Sequence, residues 1–238
     1  MGQPRSLPWL PPAPEAFPNP ASAGPDGLLA AGASLDVPTL RRAYAAGIFP
    51  WFDEHSPPLW WSPNPRAVLR PGALHIRRSL RKSLRHRGYR CTFDQAFTEV
   101  IQACAAPRAG EGGTWITAAM EAAYIEAHHA GLAHSLEVWR DDALVGGLYG
   151  LALGRCFFGE SMFARATDAS KVGLVHLCGQ LQTWGFALID CQVGNPHTGS
   201  LGAEPLARDA FLRILAGLTA QPSGAPPGPW SLAWHWDG

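Results

Sequence analysis

Apolar residues recur at helical spacing in several stretches of the chain, so that each stretch has one face suited to a core. A helix predicted over 37–47 begins after Asp36, a good N-terminal cap, and ends at Gly47. The longest pattern of this kind covers 169–184. Further helices are predicted after Asp94, after Thr117 and over 209–218.

Alternation of apolar and polar positions replaces helical spacing between His134 and Phe163. Turn residues at 141–142 and 154–155 divide this stretch into strands, which predicts an antiparallel meander. Another apolar strand, over 186–191, directly follows the 169–184 helix. These segments together predict an α+β fold in which helices flank a mixed, mostly antiparallel sheet.

Proline dominates the start of the chain, which holds a large share of the 22 prolines. Residues 1–26 are therefore predicted to be extended coil, anchored by Trp9 and Phe17. An aromatic and proline-rich segment follows up to residue 66. We predict that 1–66 form a small N-terminal domain and 67–238 a larger one.

The bulk composition is that of a globular protein, with 47% hydrophobic and 16% charged residues and a formal net charge of +0. A neutral chain has no overall field that attracts nucleic acid, so RNA binding would require a local patch. The five cysteines include no CxxC pair, and the chain has no apolar run near the ~20 residues that span a bilayer. We therefore expect a cytoplasmic protein without a membrane segment, a disulfide framework or a metal site.

A local basic patch that could bind RNA is predicted between His75 and Arg90, where six arginines and one lysine occur without an acid. Apolar residues at 76, 80 and 84 give the segment one core-facing side, so it reads as an amphipathic helix. Uncompensated cations on a neutral chain favour contact with a polyanion. The residues expected to meet phosphates are Arg77, Arg78, Arg81, Lys82 and Arg85.

Acidic side chains end two of the apolar strands. Glu160 closes the third strand of the meander, and Asp190 and Gln192 share one face of the 186–191 strand because side chains alternate with period two. Buried carboxylates are costly unless they are paired or used, so both acids are candidates for a functional site. The alternative is a structural ion pair with Arg155, Arg165 or Lys171.

Several blocks of the sequence, in this order, resemble the bacterial leucyl/phenylalanyl-tRNA-protein transferases. The resemblance covers roughly Gly27 to Phe211. The blocks are FPWF (49–52), WWSPNPRAVL (60–69), TWI (114–116), HSLEVW (134–139), LVGGLYG (144–150), GESMF (159–163), ASK (169–171), LIDCQ (188–192) and SLGA (200–203).

The resemblance implies a larger domain with the fold of GCN5-related acyltransferases. It also implies transfer of leucine or phenylalanine, and less readily methionine, from charged tRNA to proteins with N-terminal arginine or lysine. Aminolysis of an ester already activated on tRNA needs no metal and no cofactor.

The resemblance further implies roles for individual residues. Asp190 would act on the acceptor amine, directly or through Gln192, and Glu160 would face the acceptor peptide. Trp51 and Trp115 would lie at the aminoacyl-adenosine. The pocket for the transferred side chain would consist of Leu148, Phe157, Leu174, Leu177, Leu181 and Ile189.

Two other functions compete with this prediction. An acyl-CoA-dependent acetyltransferase would share the fold, but its pyrophosphate-binding run Q/R-x-x-G-x-G/A is absent from the sequence. A noncatalytic RNA-binding module would explain the basic patch, but it would leave the acids and the glutamine at the strand ends unexplained.

Overall fold

The computed structural model describes residues 6–106 and 115–237, in which helices pack on two β-sheets. The Gly-rich stretch 108–113, which its composition predicts to be a loop, lies outside these residues. The α-helices are α1 Val37–Ala45, α2 Arg78–His86, α3 Phe97–Ala105, α4 Ala118–His129, α5 Ala169–Thr183, α6 Pro196–Ser200 and α7 Arg208–Thr219.

The smaller sheet consists of short strands from the N-terminal part of the chain: β1 Trp9–Leu10, β2 Leu28–Gly32, β3 Phe49–Pro50 and β4 Leu59–Trp61. Their order is β1-β2-β4-β3. Trp60 is fully buried at the centre, where its indole N–H donates to the Gly32 carbonyl at 2.8 Å. Its ring packs edge to face with that of Phe17, with the ring centroids 4.8 Å apart. The aromatic segment thus supplies the core of this sheet.

The larger sheet has the order β11-β5-β10-β9-β8-β7-β6. Its strands are β5 Arg66–Leu69, β6 Arg90–Phe93, β7 Ala133–Arg140, β8 Ala143–Leu153, β9 Cys156–Ala164, β10 Leu188–Gln192 and β11 Glu204–Leu206. Every neighbouring pair is antiparallel except β9 and β10, which are parallel. The predicted α+β fold with a mixed, mostly antiparallel sheet is confirmed.

The parallel pair separates after a short contact. β10 pairs with β9 from Leu188, opposite Cys156, to Asp190, opposite Phe158. Beyond this point β9 continues to Ala164, whereas β10 ends at Gln192. The two strands therefore part and leave a gap in the middle of the sheet.

Alternate residues of the sheet pack on opposite layers. Leu148 and Phe157 belong to the core beneath α5, whereas Tyr149 and Phe158 belong to the core beneath α1, α3 and α4. The second core also contains Trp60 of the smaller sheet, so it is continuous across both sheets. The division at residue 66 stays a prediction, and Arg66 itself begins β5 of the larger sheet.

The C-terminal segment, residues 221–237, packs on the outer side of α5 without forming a helix or strand. The backbone N–H groups of Ala233 and Trp234 both donate to the Gln180 side-chain oxygen at 2.8 Å. Trp230 stacks on His134 with ring centroids 3.6 Å apart. These contacts tie the segment to both α5 and β7.

The structure confirms the predicted helices with strong periodicity and the meander, and it corrects several details. Asp94 was expected to cap α3, but the helix begins at Phe97 after an Ala96 cap without a side-chain hydrogen bond. The Asp94 carboxylate instead accepts from the backbone of Ser135 and Trp230 at 2.8 and 2.6 Å. The helix predicted over 75–90 covers only Arg78–His86.

Two further corrections concern residues 193–200, which the sequence predicts to be a loop, and the N-terminal coil. The segment after Gln192 forms a short helix, α6, because Asn195 and Thr198 make a capping box. The N-terminal coil contains β1, whose Trp9 is 71% exposed and does not anchor the segment.

Candidate active site

A cavity of about 1,020 Å³ occupies the gap where β9 and β10 part, and it reaches both faces of the sheet. The layer on the α5 side supplies Leu148, Phe157, Leu174, Leu177 and Ile189. The opposite layer supplies Trp51, Trp115, Tyr149 and Glu160. A cavity with one apolar end and a few polar groups is the usual form of a small-molecule or active site.

Glu160 reaches the cavity because of an irregularity in the sheet. β8 and β9 change register between Tyr149, opposite Ser161, and Gly150, opposite Gly159, so Glu160 has no cross-strand partner. Such bulges re-aim side chains and recur next to active sites. Burial raises the pKa of the Glu160 carboxyl to about 7, although nearby hydrogen-bond donors act to lower it.

The Glu160 oxygens are surrounded by hydroxyl and amide groups. The hydroxyl oxygens of Tyr44 and Tyr124 lie 2.7 Å from Oε1 and 2.9 Å from Oε2, respectively. The Gln192 side-chain amide donates to Oε1 at 2.8 Å. Glu160 is thereby held by α1, α4 and β10 at once.

Asp190 lies behind this group in a buried ion pair with Arg66. The guanidinium donates to both carboxylate oxygens, from Nε at 2.8 Å and from Nη2 at 2.6 Å, and both side chains are 0% exposed. Arg66 is further held between the rings of Phe49 and Phe211, at 4.7 and 4.8 Å from their centroids. The charge of Asp190 is therefore compensated by a fixed bidentate partner.

Gln192 connects the ion pair to the cavity. Its backbone N–H donates to Asp190 Oδ1 at 2.9 Å, while its side chain reaches across the gap to Glu160. A register shift against β5 and a φ of 56° at Gln192 make the end of β10 irregular. Positive φ in a residue other than glycine is strained and clusters at functional sites.

The two predicted tryptophans stand in the cavity wall. Trp51 is 43% exposed, with its ring 5.6 Å from that of Trp61, whose indole N–H donates to the Trp51 carbonyl at 2.6 Å. Trp115 is half-buried against the core of the same layer. An exposed flat ring at the edge of a cavity is available for stacking on a ligand.

Of the predicted side-chain pocket, Leu148, Phe157, Leu174, Leu177 and Ile189 line the cavity. Leu181 is fully buried one turn further along α5 and belongs to the same core without being among the wall residues described. Asp190 is likewise absent from the described wall, which it meets only through Gln192.

The predicted phosphate-binding residues lie on α2 and its N-terminal cap. Arg77, Arg78, Arg81, Lys82 and Arg85 are all exposed, and within the described ranges none of them pairs with a carboxylate. The segment leading into α2 adjoins the cavity, because the His75 backbone N–H donates at 2.9 Å to the carbonyl of Leu201, a wall residue. The basic surface therefore starts beside the cavity.

Several site residues were missed by sequence reasoning. Tyr44 and Tyr124 lie within predicted helices, and the sequence gives no sign that their hydroxyl groups share a partner. Arg66 had a usable signal, because an arginine on an otherwise apolar strand requires a counter-ion. The suggested partners were wrong: Arg155, Arg165 and Lys171 instead bond to Gly185, Leu144 and Asp168.

The described part of the chain contains no group of three or more His, Cys, Asp or Glu residues that could hold a metal ion. None of its helices is both long and apolar enough to cross a membrane.

Comparison with known proteins decides the family. A family model described as leucyl/phenylalanyl-tRNA protein transferase matches residues 68–216, and a model of the N-terminal domain of the same family matches residues 33–64. The chain belongs to the leucyl/phenylalanyl-tRNA protein transferase family. It is thus assigned to the aminoacyltransferases, as the residues of the resemblance implied.

Relatives in this family match most of the chain. The leucyl/phenylalanyl-tRNA–protein transferase of Stutzerimonas stutzeri (strain A1501) is 58% identical over 201 residues, which is 84% of this chain and 89% of the relative. That of Cellvibrio japonicus (strain Ueda107) is 52% identical over 231 residues, 96% of each chain. The transferase family match therefore extends beyond the ranges of the family models.

Solved structures give weaker likenesses. A GCN5-related N-acetyltransferase from Kribbella flavida has a TM-score of 0.37 at 11% identity, covering 70% of this chain and 60% of the other. The C-terminal domain of a putative lysylphosphatidylglycerol synthetase from Agrobacterium fabrum has a TM-score of 0.40 at 16% identity. The match covers 79% of this chain and 58% of the other. The fold of this chain is defined by the order of strands in its own sheets.

Proposed function

We propose that this chain transfers leucine or phenylalanine, and less readily methionine, from charged tRNA to the α-amine of proteins that begin with arginine or lysine. The modified proteins would then be substrates of N-end rule degradation. Family membership supports the reaction class. The observation that carries the proposal is the Gln192–Glu160 bridge across the parted strands, at the rim of an apolar pocket.

The donor fits the apolar end of the cavity. A leucine or phenylalanine side chain would contact Leu174, Leu177 and Ile189, and its burial is worth ~1.5–3 kcal/mol. The terminal adenine of the tRNA would stack on the exposed ring of Trp51, with Trp115 on the same layer. Stacking of one base on an aromatic side chain contributes ~1–3 kcal/mol.

The reaction is an exchange of one bond for another. The acceptor amine attacks the aminoacyl carbonyl carbon, a C–N bond forms, and the C–O bond to the ribose breaks. The nitrogen loses a proton and the ribose oxygen gains one. Because the ester is already activated, the protein contributes chiefly by aligning two substrates and excluding water.

Asp190 has a positioning role in this scheme. Its carboxylate is occupied by Arg66 and by the Gln192 backbone, so it would fix the strained turn that aims the Gln192 amide. Gln192 would then hold the acceptor amine beside the ester. Of the two alternatives for Asp190, the geometry supports action through Gln192.

The acceptor side chain is cationic, and Glu160 is the acid found in the described cavity wall. Pairing with a guanidinium or ammonium would give an acceptor with N-terminal arginine or lysine an advantage over one with a neutral side chain. The tRNA body would follow α2, whose cations contact phosphates without reading sequence.

The cell compartment is inferred from the thiols. No disulfide joins any of the five cysteines within the described residues, and three of them are buried, which suits a reducing cytoplasm.

Transfer is tested with tRNA charged with labelled leucine and two peptides that differ only in arginine or alanine at the N-terminus. Label should pass to the arginine peptide without added acetyl-CoA. Gln192→Ala should slow transfer ~10²-fold or more, since a misplaced reacting group costs that much. Absence of transfer by the wild type, with charged tRNA still bound, would refute the proposed function.

Asp190 is tested by Asp190→Asn, because alanine would remove every hydrogen-bond acceptor of the buried Arg66 guanidinium as well as the charge. Asparagine keeps an acceptor for the Gln192 backbone and removes the charge. We expect slower transfer with unchanged tRNA affinity. Wild-type turnover in a folded Asp190→Asn protein would remove Asp190 from the mechanism.

A further inference from the structure

The Glu160 carboxyl group and two tyrosine hydroxyl groups form a closed ring of contacts. Tyr44 lies 2.7 Å from Oε1, Tyr124 lies 2.9 Å from Oε2, and the two hydroxyl oxygens lie 2.5 Å from each other. All three distances are those of hydrogen bonds between oxygens. Each contact in the ring therefore needs one proton.

The proton count depends on the state of Glu160. Each phenol supplies one proton, and burial raises the pKa of both Tyr44 and Tyr124, so neither is ionised near neutral pH. An ionised Glu160 leaves two protons for three contacts, and one pair of oxygens would face each other without a hydrogen. A neutral carboxylic acid supplies the missing proton.

The direction of the hydrogen bonds agrees with a neutral acid. The Gln192 amide donates to Oε1, so Oε1 is an acceptor and Oε2 carries the proton. Oε2 then donates to Tyr124, Tyr124 donates to Tyr44, and Tyr44 donates to Oε1. Every oxygen in the ring is satisfied, with no proton left over.

No cation contacts the Glu160 carboxyl group in the described chain; Arg165 stands in the same cavity wall, but its guanidinium bonds to the Leu144 carbonyl. Tyr44 on α1, Tyr124 on α4, Tyr149 on β8 and Gln192 on β10 are uncharged, and Asp190 is an acid. Arg66 is committed to Asp190, and within the described ranges no cation lies within 4.0 Å of the Glu160 oxygens. A buried carboxylate without a cation favours its neutral form.

We propose that, below neutral pH, Glu160 is a neutral acid in the free protein and ionises when a cationic acceptor enters the cavity. The step releases one proton from Oε2 to solvent and leaves a carboxylate paired with the guanidinium or ammonium group of the acceptor. This inference rests on the proposed function for the identity of the acceptor. It deepens that function, because the charge that recognises the acceptor exists only in its presence.

Two consequences follow for selectivity. An acceptor with a neutral side chain meets a neutral, closed ring and gains no ion pair. A cationic acceptor must displace a proton, so its advantage over the neutral one grows ~10-fold per pH unit until Glu160 is ionised in the free protein. Preference for arginine therefore rises with pH and then levels off.

The experiment records infrared spectra of the full-length wild type and of Glu160→Gln. The spectrum of the variant is subtracted from that of the wild type. The variant keeps the ring closed, since an amide N–H replaces the acid O–H and the amide oxygen still accepts from Tyr44. Below neutral pH, the difference spectrum should contain the carbonyl band of a protonated carboxylic acid. Its absence there would overturn the resting state that we propose.

The same spectrum is then recorded with the arginine peptide or the alanine peptide in excess. The acid band should disappear with arginine and remain with alanine. A band that survives the arginine peptide, or that disappears equally with alanine, would overturn the coupling. The two peptides share the same α-amine, so its own titration cancels in the comparison.

These readouts need no tRNA and no turnover, which separates them from the transferase assay. Loss of the acid band with the arginine peptide, in a protein that transfers no leucine, would reject the proposed reaction and leave the ionisation intact. Tyr89→Phe is a matched control, because the Tyr89 hydroxyl donates to the Thr167 carbonyl at 2.8 Å, outside the ring. It should leave the band unchanged.

Discussion

Arg66 shows at the level of one residue how the site combines stability with alignment. It neutralises Asp190, bonds to the Gly47 carbonyl at 3.2 Å and lies between two aromatic rings. The strand pattern indicates Asp190 as a site residue but not Arg66, since the two are 124 residues apart. The need for a partner was predictable, but its identity depended on the sheet order that brings β5 beside β10.

Arg66→Met should therefore be strongly destabilising. Breaking a buried pair by removing one partner costs ~3–5 kcal/mol, because the other charge stays buried alone. Urea denaturation would measure the loss in the free energy of unfolding. Arg70→Met is the matched control just after the same strand, because its pair with Glu204 is half-exposed and worth at most ~1 kcal/mol.

The opposite effect on the free energy of unfolding is expected at Tyr149. Its hydroxyl is buried in the cavity wall and has no hydrogen-bond partner among the described residues. Tyr149→Phe should leave the free energy of unfolding unchanged or raise it by ~1 kcal/mol, since an unsatisfied polar group is removed. Tyr44→Phe should lower it by ~1–3 kcal/mol, and equal effects of the two changes would contradict the ring of contacts.

At the level of elements, α2 is the clearest case of a surface predicted from sequence. Replacing Arg77, Arg78 and Arg81 together with alanine should weaken tRNA binding and lower the salt dependence of the binding constant. Each lost phosphate contact reduces the slope of log K against log salt by about 0.9. The measurement is a fluorescence titration over a range of salt concentrations.

Removal of three cations elsewhere provides the control. Arg41, Arg140 and Arg213 are exposed on α1, β7 and α7, and their joint replacement changes the net charge by the same amount. If the slope of log K against log salt falls equally in both triple variants, the net charge of the protein, and not α2, determines the affinity for tRNA.

Elements differed in how well their sequence predicted them. The meander and α5 have long, regular patterns, so their existence followed from periodicity alone. β1 and β3 have two residues each and were not predicted, because so short a strand has no period. Asp94 was misassigned as a cap, because its partners Ser135 and Trp230 are distant in sequence.

At the scale of the whole molecule, two buried acids should shape the pH dependence of stability. The pKa values of Glu137 and Glu160 are raised to about 7, mainly by burial, from an ordinary value of 4.5. Between these two values the native protein holds protons that the unfolded chain has released. The free energy of unfolding contributed by these groups is therefore full below about pH 4.5 and falls as pH rises through about 7.

Glu137→Gln isolates one of the two contributions. Glu137 accepts from Thr92 and Ser135 at 2.5 Å, well away from the cavity, so its replacement tests stability without touching the proposed reaction. Wild type should lose stability relative to the variant as pH rises from about 5 to about 8. A constant difference over this range would contradict a raised pKa for Glu137, and other titrating groups cancel because they are present in both proteins.

The order of strands in the larger sheet has a consequence for synthesis on the ribosome. β5 leaves the exit tunnel early, but its two sheet neighbours, β10 and β11, lie far downstream in the sequence. At ~5–20 residues per second, the 124 residues between Arg66 and Asp190 take roughly 6–25 s to appear. During this interval β5 has two unpaired edges in the nascent chain, and Arg66 lacks its counter-ion. Other chains or chaperones would meet this form before the fold is complete.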